Sequence, residues 1–169
     1  MITSKVQGIF IALSLLLPVL ALPLFSQETR AVKVMDFEQL KPLLHQQSDT
    51  LYIVNFWATW CAPCIEEIPY FEQIGRKFKG EKVKVLMVSL DFPKQLESRL
   101  VPFIHKHDMR NEVILLDDPR QNDWIPQVDE DWTGALPATL IYGQNFRYFY
   151  QKPFTYEELD RLIEESVTR

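Results

Sequence analysis

Cysteine is all but absent: the 169 residues hold two, Cys61 and Cys64, both within the stretch FWATWCAPC. That scarcity excludes a framework of structural disulfides. The one pairing available closes too short a loop to restrain an unfolded chain much. A pair at this spacing is kept for chemistry, which leaves metal binding or thiol–disulfide exchange. Histidine is nearly as scarce, with only His45, His105 and His107, none at ligand spacing beside the cysteines. A zinc site needs about four ligands and the cysteines supply half of them, so metal is the weaker reading. Basic excess is missing as well: 18 Lys and Arg face 23 Asp and Glu, for a formal net charge of −5. This excludes the electropositive footprint of a nucleic-acid-binding domain. Repeats and low-complexity tracts are lacking too. With 47% hydrophobic and 12% aromatic residues, the composition is that of one globular domain with a sizeable core.

One absence is local. No charged side chain occurs between Lys5 and Glu28, and the run GIFIALSLLLPVLALPLF follows a short positive start. This is the pattern of an export signal, although the run is nearly long enough to serve as an uncleaved membrane anchor. Pro18 and Pro23 would bend a spanning helix and favour the signal. The chain accordingly divides into residues 1–26, a signal or anchor; residues 27–35, a linker or edge strand; and residues 36–169, the folded domain. Export would place the cysteines where disulfides persist.

Along the domain, hydrophobic patterning alternates between strand and helix. Asp36 with Gln39 forms a capping box before FEQLKPLLHQQ, and Thr155 with Glu158 forms another before the amphipathic YEELDRLIEESV. LYIVNFW, VKVLMVSLD and EVILLDD are compact apolar runs suited to strands buried on both faces. IEEIPYFEQIGRKF repeats its apolar residues with helical spacing, Pro69 marking a kink. PKQLESRLVPFIHKH reads as helix disturbed at Pro102, and the stretch from Pro119 to Gly134 as irregular with one helical turn. PATLIYG and FRYFYQ flank a turn and predict an antiparallel hairpin. The fold class is α/β with a mixed sheet.

Strand, short loop, Cys-x-x-Cys, helix is the arrangement that decides for redox chemistry. A helix beginning at Cys61 surrounds its sulfur with unpaired N–H groups at the positive end of the dipole, which favours thiolate over thiol. Cys64, one turn further in, can then resolve a mixed disulfide formed at Cys61. Pro63 fits the opening turn, where its missing N–H costs little.

NFWATWCAPCIEEIP resembles the active-site segment of the thioredoxin superfamily, and specifically of its exported TlpA/ResA-like thiol–disulfide oxidoreductases. GALPATLIYG resembles that superfamily's cis-proline loop and the strand after it. The resemblance covers most of residues 36–169. It implies a thioredoxin-like central mixed β-sheet flanked by helices, lengthened by an α–β insertion over residues 93–118. It further implies electron transfer through a Cys61–Cys64 redox pair with no other cofactor, and catalytic parts for Pro137 and Glu67. Leu136 and Pro137 would form the cis bond and offer backbone to a substrate bound beside Trp60, Ala62 and Pro63. Glu67 shares a helical face with Cys64 whereas Glu66 is rotated away by about 100°. A partly buried carboxylate there would titrate high and exchange protons with Cys64. Asn55 stands where cytosolic thioredoxins carry an acid, which moves that burden to Glu67 or water. The expected partners are protein thiols and disulfides together with a membrane electron donor. The membrane is reached only through an uncleaved N-terminal segment, nucleic acid is not a partner, and the protein acts as a monomer outside the cytoplasm. A disulfide-forming oxidase, a thiol peroxidase and a copper-delivery protein are the competing functions.

Overall fold

The computed structural model describes residues 31–168, so the expected signal or anchor over residues 1–26 lies outside the described residues. Among the described residues, six strands form one sheet in the order β1-β4-β3-β2-β5-β6. They are β1 (Lys33–Met35), β2 (Leu51–Trp57), β3 (Val83–Ser89), β4 (Glu112–Leu116), β5 (Ala138–Tyr142) and β6 (Arg147–Tyr150). The first four run parallel to one another, while β5 is antiparallel to β2 and β6 to β5, closing the sheet with the expected hairpin. Strand β1 forms the far edge.

Alternation along the central strand creates two cores. In β2, Leu51, Ile53 and Trp57 face one side, and Val54 and Phe56 face the other. The first side is covered by α2 (Ala62–Lys77) and α5 (Tyr156–Val167) through Ile68, Phe71, Ile74, Leu159 and Ile163. The second is covered by α1 (Phe37–Leu40) and α4 (Gln121–Val128) through Phe37, Leu40, Trp124 and Val128. Both capping boxes form: Asp36 accepts from the Gln39 N–H and Thr155 from that of Glu158, with the reciprocal bonds in place.

Two segments differ from the sequence reading. Residues 121–128, expected to be irregular, make the eight-residue helix α4, although no side chain caps its start and Pro126 lies inside it. Tertiary contact supplies the stability: Trp124 is buried, stacks on Phe37 at 5.7 Å and donates its indole N–H to Asp118 O at 3.1 Å. The helix over residues 93–106 is composite. A 3₁₀ turn (Pro93–Gln95) and a π turn (Leu96–Leu100) precede α3 (Val101–Lys106). The wider π turn lies where Pro102, lacking an N–H, cannot complete an ordinary helical ladder.

This composite helix and β4 are the expected insertion, and β4 is paired between β3 and β1. Its return loop is fastened to α2 by Glu72, which is buried and accepts from the N–H groups of Arg110 at 2.8 Å and Asn111 at 3.2 Å. Glu72→Ala strands both donors and should lower stability by about 2 kcal/mol. Urea unfolding of the oxidised protein reads this directly. An unchanged midpoint would mean that the loop is held elsewhere.

Candidate active site

Strand β2 ends at Trp57, and the chain turns immediately, with Cys61 N–H donating to Ala58 O at 3.1 Å. That turn delivers Cys61 as the N-cap of α2 with extended backbone, and Ile65 N–H makes the first helical bond back to Cys61 O. Cys61 and Cys64 are joined in a disulfide with S–S 1.99 Å. Cys61 keeps 7% of its surface and Cys64 none, so Cys61 is the less enclosed of the two. Because Pro63 stands at the second helical position without an N–H, the Cys64 amide is the cap donor available to the Cys61 sulfur. Once the disulfide opens, that N–H and the helix dipole both favour a thiolate at Cys61.

Around the pair, Ala62 and Pro63 are exposed on the first turn, and Trp60 is 51% exposed, an aromatic rim beside the disulfide. The Leu136–Pro137 peptide is cis, as the resemblance implied. Pro137 is buried immediately before β5, whose first residue Ala138 pairs with Phe56 at the end of β2. The antiparallel register therefore brings the cis-proline loop to the end of the sheet from which the cysteine loop departs.

Glu67 is buried at 1% exposure, whereas Glu66 is exposed, in keeping with helical phase. Its Oε1 accepts from Asn55 Nδ2 at 2.9 Å and its Oε2 from the Phe154 N–H at 2.9 Å. Burial pushes the carboxyl up to about 7, the two hydrogen bonds offsetting only part of that cost. Asn55 sits on the same stripe of β2 as Ile53 and Trp57, and its Nδ2 also donates to Thr139 Oγ1 at 3.1 Å. The network Glu67–Asn55–Thr139 thus runs beneath α2. Neither Thr139 nor Phe154 was foreseeable as its partner, since each comes from a distant part of the chain. A cleft of about 250 Å³ lined by Pro63, Glu66, Glu67, Tyr70 and Phe154 opens next to this network.

The remaining tryptophans are structural. Trp57 is fully buried, and Trp132 donates its indole N–H to Ala135 O at 2.9 Å. Of the two histidines in HKH, His105 is exposed and His107 stacks on Phe103 with ring centroids 4.0 Å apart. No group of three or more His, Cys, Asp or Glu side chains suited to a metal occurs among the described residues.

A profile of the AhpC/TSA family matches residues 22–146, most of the chain. The chain belongs to the AhpC/TSA family. Thiol-disulfide oxidoreductase ResA of Oceanobacillus iheyensis is 35% identical over 66 residues, which are 36% of this chain and 34% of that protein. ResA of Geobacillus kaustophilus is 26% identical over 113 residues, 66% of this chain and 60% of that protein. The matched segments therefore span between about a third and three-fifths of these relatives. Among solved structures, a secreted thiol-disulfide isomerase from Corynebacterium glutamicum superposes with TM-score 0.60 at 17% identity, covering 72% of this chain and 73% of that one. StoA from Bacillus subtilis gives TM-score 0.53 at 20% identity over 69% of this chain and 84% of its own. Those two show the fold. The ResA matches add that this member of the AhpC/TSA family is TlpA/ResA-like, as NFWATWCAPC suggested.

Proposed function

We propose that the protein is an exported thiol–disulfide oxidoreductase that reduces protein disulfides through Cys61 and Cys64. One observation carries this: a disulfide that joins Cys61, the N-cap residue of a helix, to a fully buried Cys64 one turn further in. In the reduced protein the Cys61 thiolate attacks a substrate disulfide, forming a mixed disulfide and releasing one substrate thiolate. The Cys64 thiolate then attacks Cys61 Sγ, breaks the mixed disulfide and releases the second. Two electrons pass to the substrate, and Cys61–Cys64 is left as in this structure. A dithiol donor must reduce the pair again, and a membrane protein facing the same compartment is the partner we assign. Trp60, Ala62, Pro63 and the Leu136–Pro137 backbone are assigned to hold the substrate chain across the disulfide. The ResA relatives support the chemistry, and the charge-free residues 6–27 support export.

The reading is tested with the purified domain. It should accelerate reduction of insulin disulfides by dithiothreitol, and fractionation of the native cell should recover the domain outside the cytosol. No acceleration by the fully reduced protein would defeat the chemistry. A full-length cytosolic pool would defeat export alone.

A further inference from the structure

Three hydrogen-bond donors converge on a buried carboxylate behind the cysteine loop. Asp91, two residues past β3 and 2% exposed, accepts from the Thr59 hydroxyl at 2.5 Å, the Thr59 N–H at 3.0 Å and the Ser89 hydroxyl at 2.9 Å. Its own N–H donates to Ser89 Oγ at 3.1 Å. Leu90 N–H donates to Trp57 O at 2.8 Å, so the β2–β3 pairing continues beyond the sheet into the two loops. Thr59, itself 5% exposed, is the residue after Ala58 in the turn that ends at Cys61.

Burying a carboxylate is costly unless its oxygens are bonded, so the choice of residue needs a reason. The chemistry supplies one. The side chain must accept three bonds and donate none, which a carboxylate does and an amide, with a single acceptor oxygen, does not. In the oxidised protein the disulfide and Asp91 both restrain the turn, beside its own Cys61–Ala58 backbone bond and the bond from Arg99. Reduction removes the first restraint.

We propose that Asp91 is a positioning residue: it holds the 58–61 turn so that Cys61 stays at the N-terminus of α2 once the disulfide is open. The proposal rests on the exchange chemistry above and adds the element that keeps the attacking sulfur in place. Arg99 also bonds this turn, its Nη2 donating to Thr59 O at 3.4 Å, and Glu66 and Glu67 follow on α2. Asp91 acts on Cys61 in two opposed ways. Its charge disfavours a thiolate nearby, whereas its hydrogen bonds keep the sulfur where the helix terminus favours one. If positioning dominates, removing the carboxylate weakens the thiolate; if charge dominates, removal strengthens it.

Asp91→Asn and Thr59→Val decide between these, read by alkylation of Cys61 in the reduced protein at neutral pH and by the equilibrium of the pair with glutathione. Thr59→Val leaves Asp91 two of its donors and carries the test should Asp91→Asn not fold. Alkylation should slow by about tenfold in Asp91→Asn and about threefold in Thr59→Val, the range of a helix-terminus interaction. The glutathione equilibrium should move toward the disulfide by similar factors, while thermal melting of the oxidised Thr59→Val protein changes little. Faster alkylation than wild type, or rates and equilibria equal to wild type in both variants, overturns the proposal. Wild-type protein that fails to exchange with insulin would defeat the exchange reading instead, which separates the two failures.

Discussion

Cys64→Ser should turn the protein into a trap. The Cys61 thiolate would still attack a partner disulfide, but no second thiol would release the product, so mixed disulfides should accumulate on non-reducing gels. Cys61→Ser should lose insulin reduction completely and accumulate nothing. The asymmetry follows from position and burial: Cys61 is the N-cap residue and keeps 7% of its surface, Cys64 lies inside the helix and keeps none, and the two are not interchangeable. Mass spectrometry of the trapped species should find Cys61 as the bonded residue. The same partners captured by Cys61→Ser would assign the attack to Cys64 and remove the mechanism.

Glu67→Gln should change both stability and thiol reactivity with pH. The carboxyl titrates at about 7 in the folded protein and near its ordinary value of 4.5 when unfolded. Between those values the native state holds more protons than the unfolded state, so wild-type stability falls as pH rises and carries the full cost above the higher value. That cost is about 3 kcal/mol. The glutamine variant lacks it, so its urea midpoint relative to wild type should climb between pH 4.5 and pH 8. Local bonding supports the substitution: Asn55 Oδ1 is buried without a hydrogen-bond partner among the described residues, and it lies on the side chain that already bonds Glu67. Turning the Asn55 amide over would present that oxygen to the N–H₂ group that the substitution introduces. In exchange, an ionised Glu67 opposes a second negative charge at the cysteines, so Glu67→Gln should also lower the apparent thiol pKa. The titrations are coupled, and the values belong to the group. Glu66→Gln, on the exposed face, is the control. Alkylation curves of Glu67→Gln that overlay both wild type and control would leave Glu67 a purely structural acid.

What could be read from the chain was whatever local chemistry determines. β2 was legible because seven consecutive aromatic, aliphatic and amide residues leave no helical face, and its observed bounds are those of LYIVNFW. Both capping boxes were legible because cap and reciprocal residue lie three apart. The burial of Glu67 followed from its phase with Cys64. Helix α4 was not legible, because its start has no side-chain cap and its stability comes from Trp124 meeting Phe37 across the chain. Asp91 was missed for a related reason. Nothing near SLDFP marks the aspartate as functional until the β2–β3 register sets it against Thr59. Likewise, no local pattern ties Phe154 to Glu67.

The sheet order has a consequence for the birth of the molecule. β1 is among the first parts of the domain to leave the ribosome, or to cross a membrane N-terminus first. Its partner among the described strands is β4, with Lys33 opposite Ile114, about eighty residues later. Until the insertion arrives, the strand lacks that partner. Closing that long loop is among the slower steps open to a chain of this topology. The central strands β2 and β3, with α2 between them, can assemble earlier, and they already contain both cysteines. A nascent chain would thus carry a reactive pair while its edge was still open, exposed to whatever oxidant or chaperone waits at the exit.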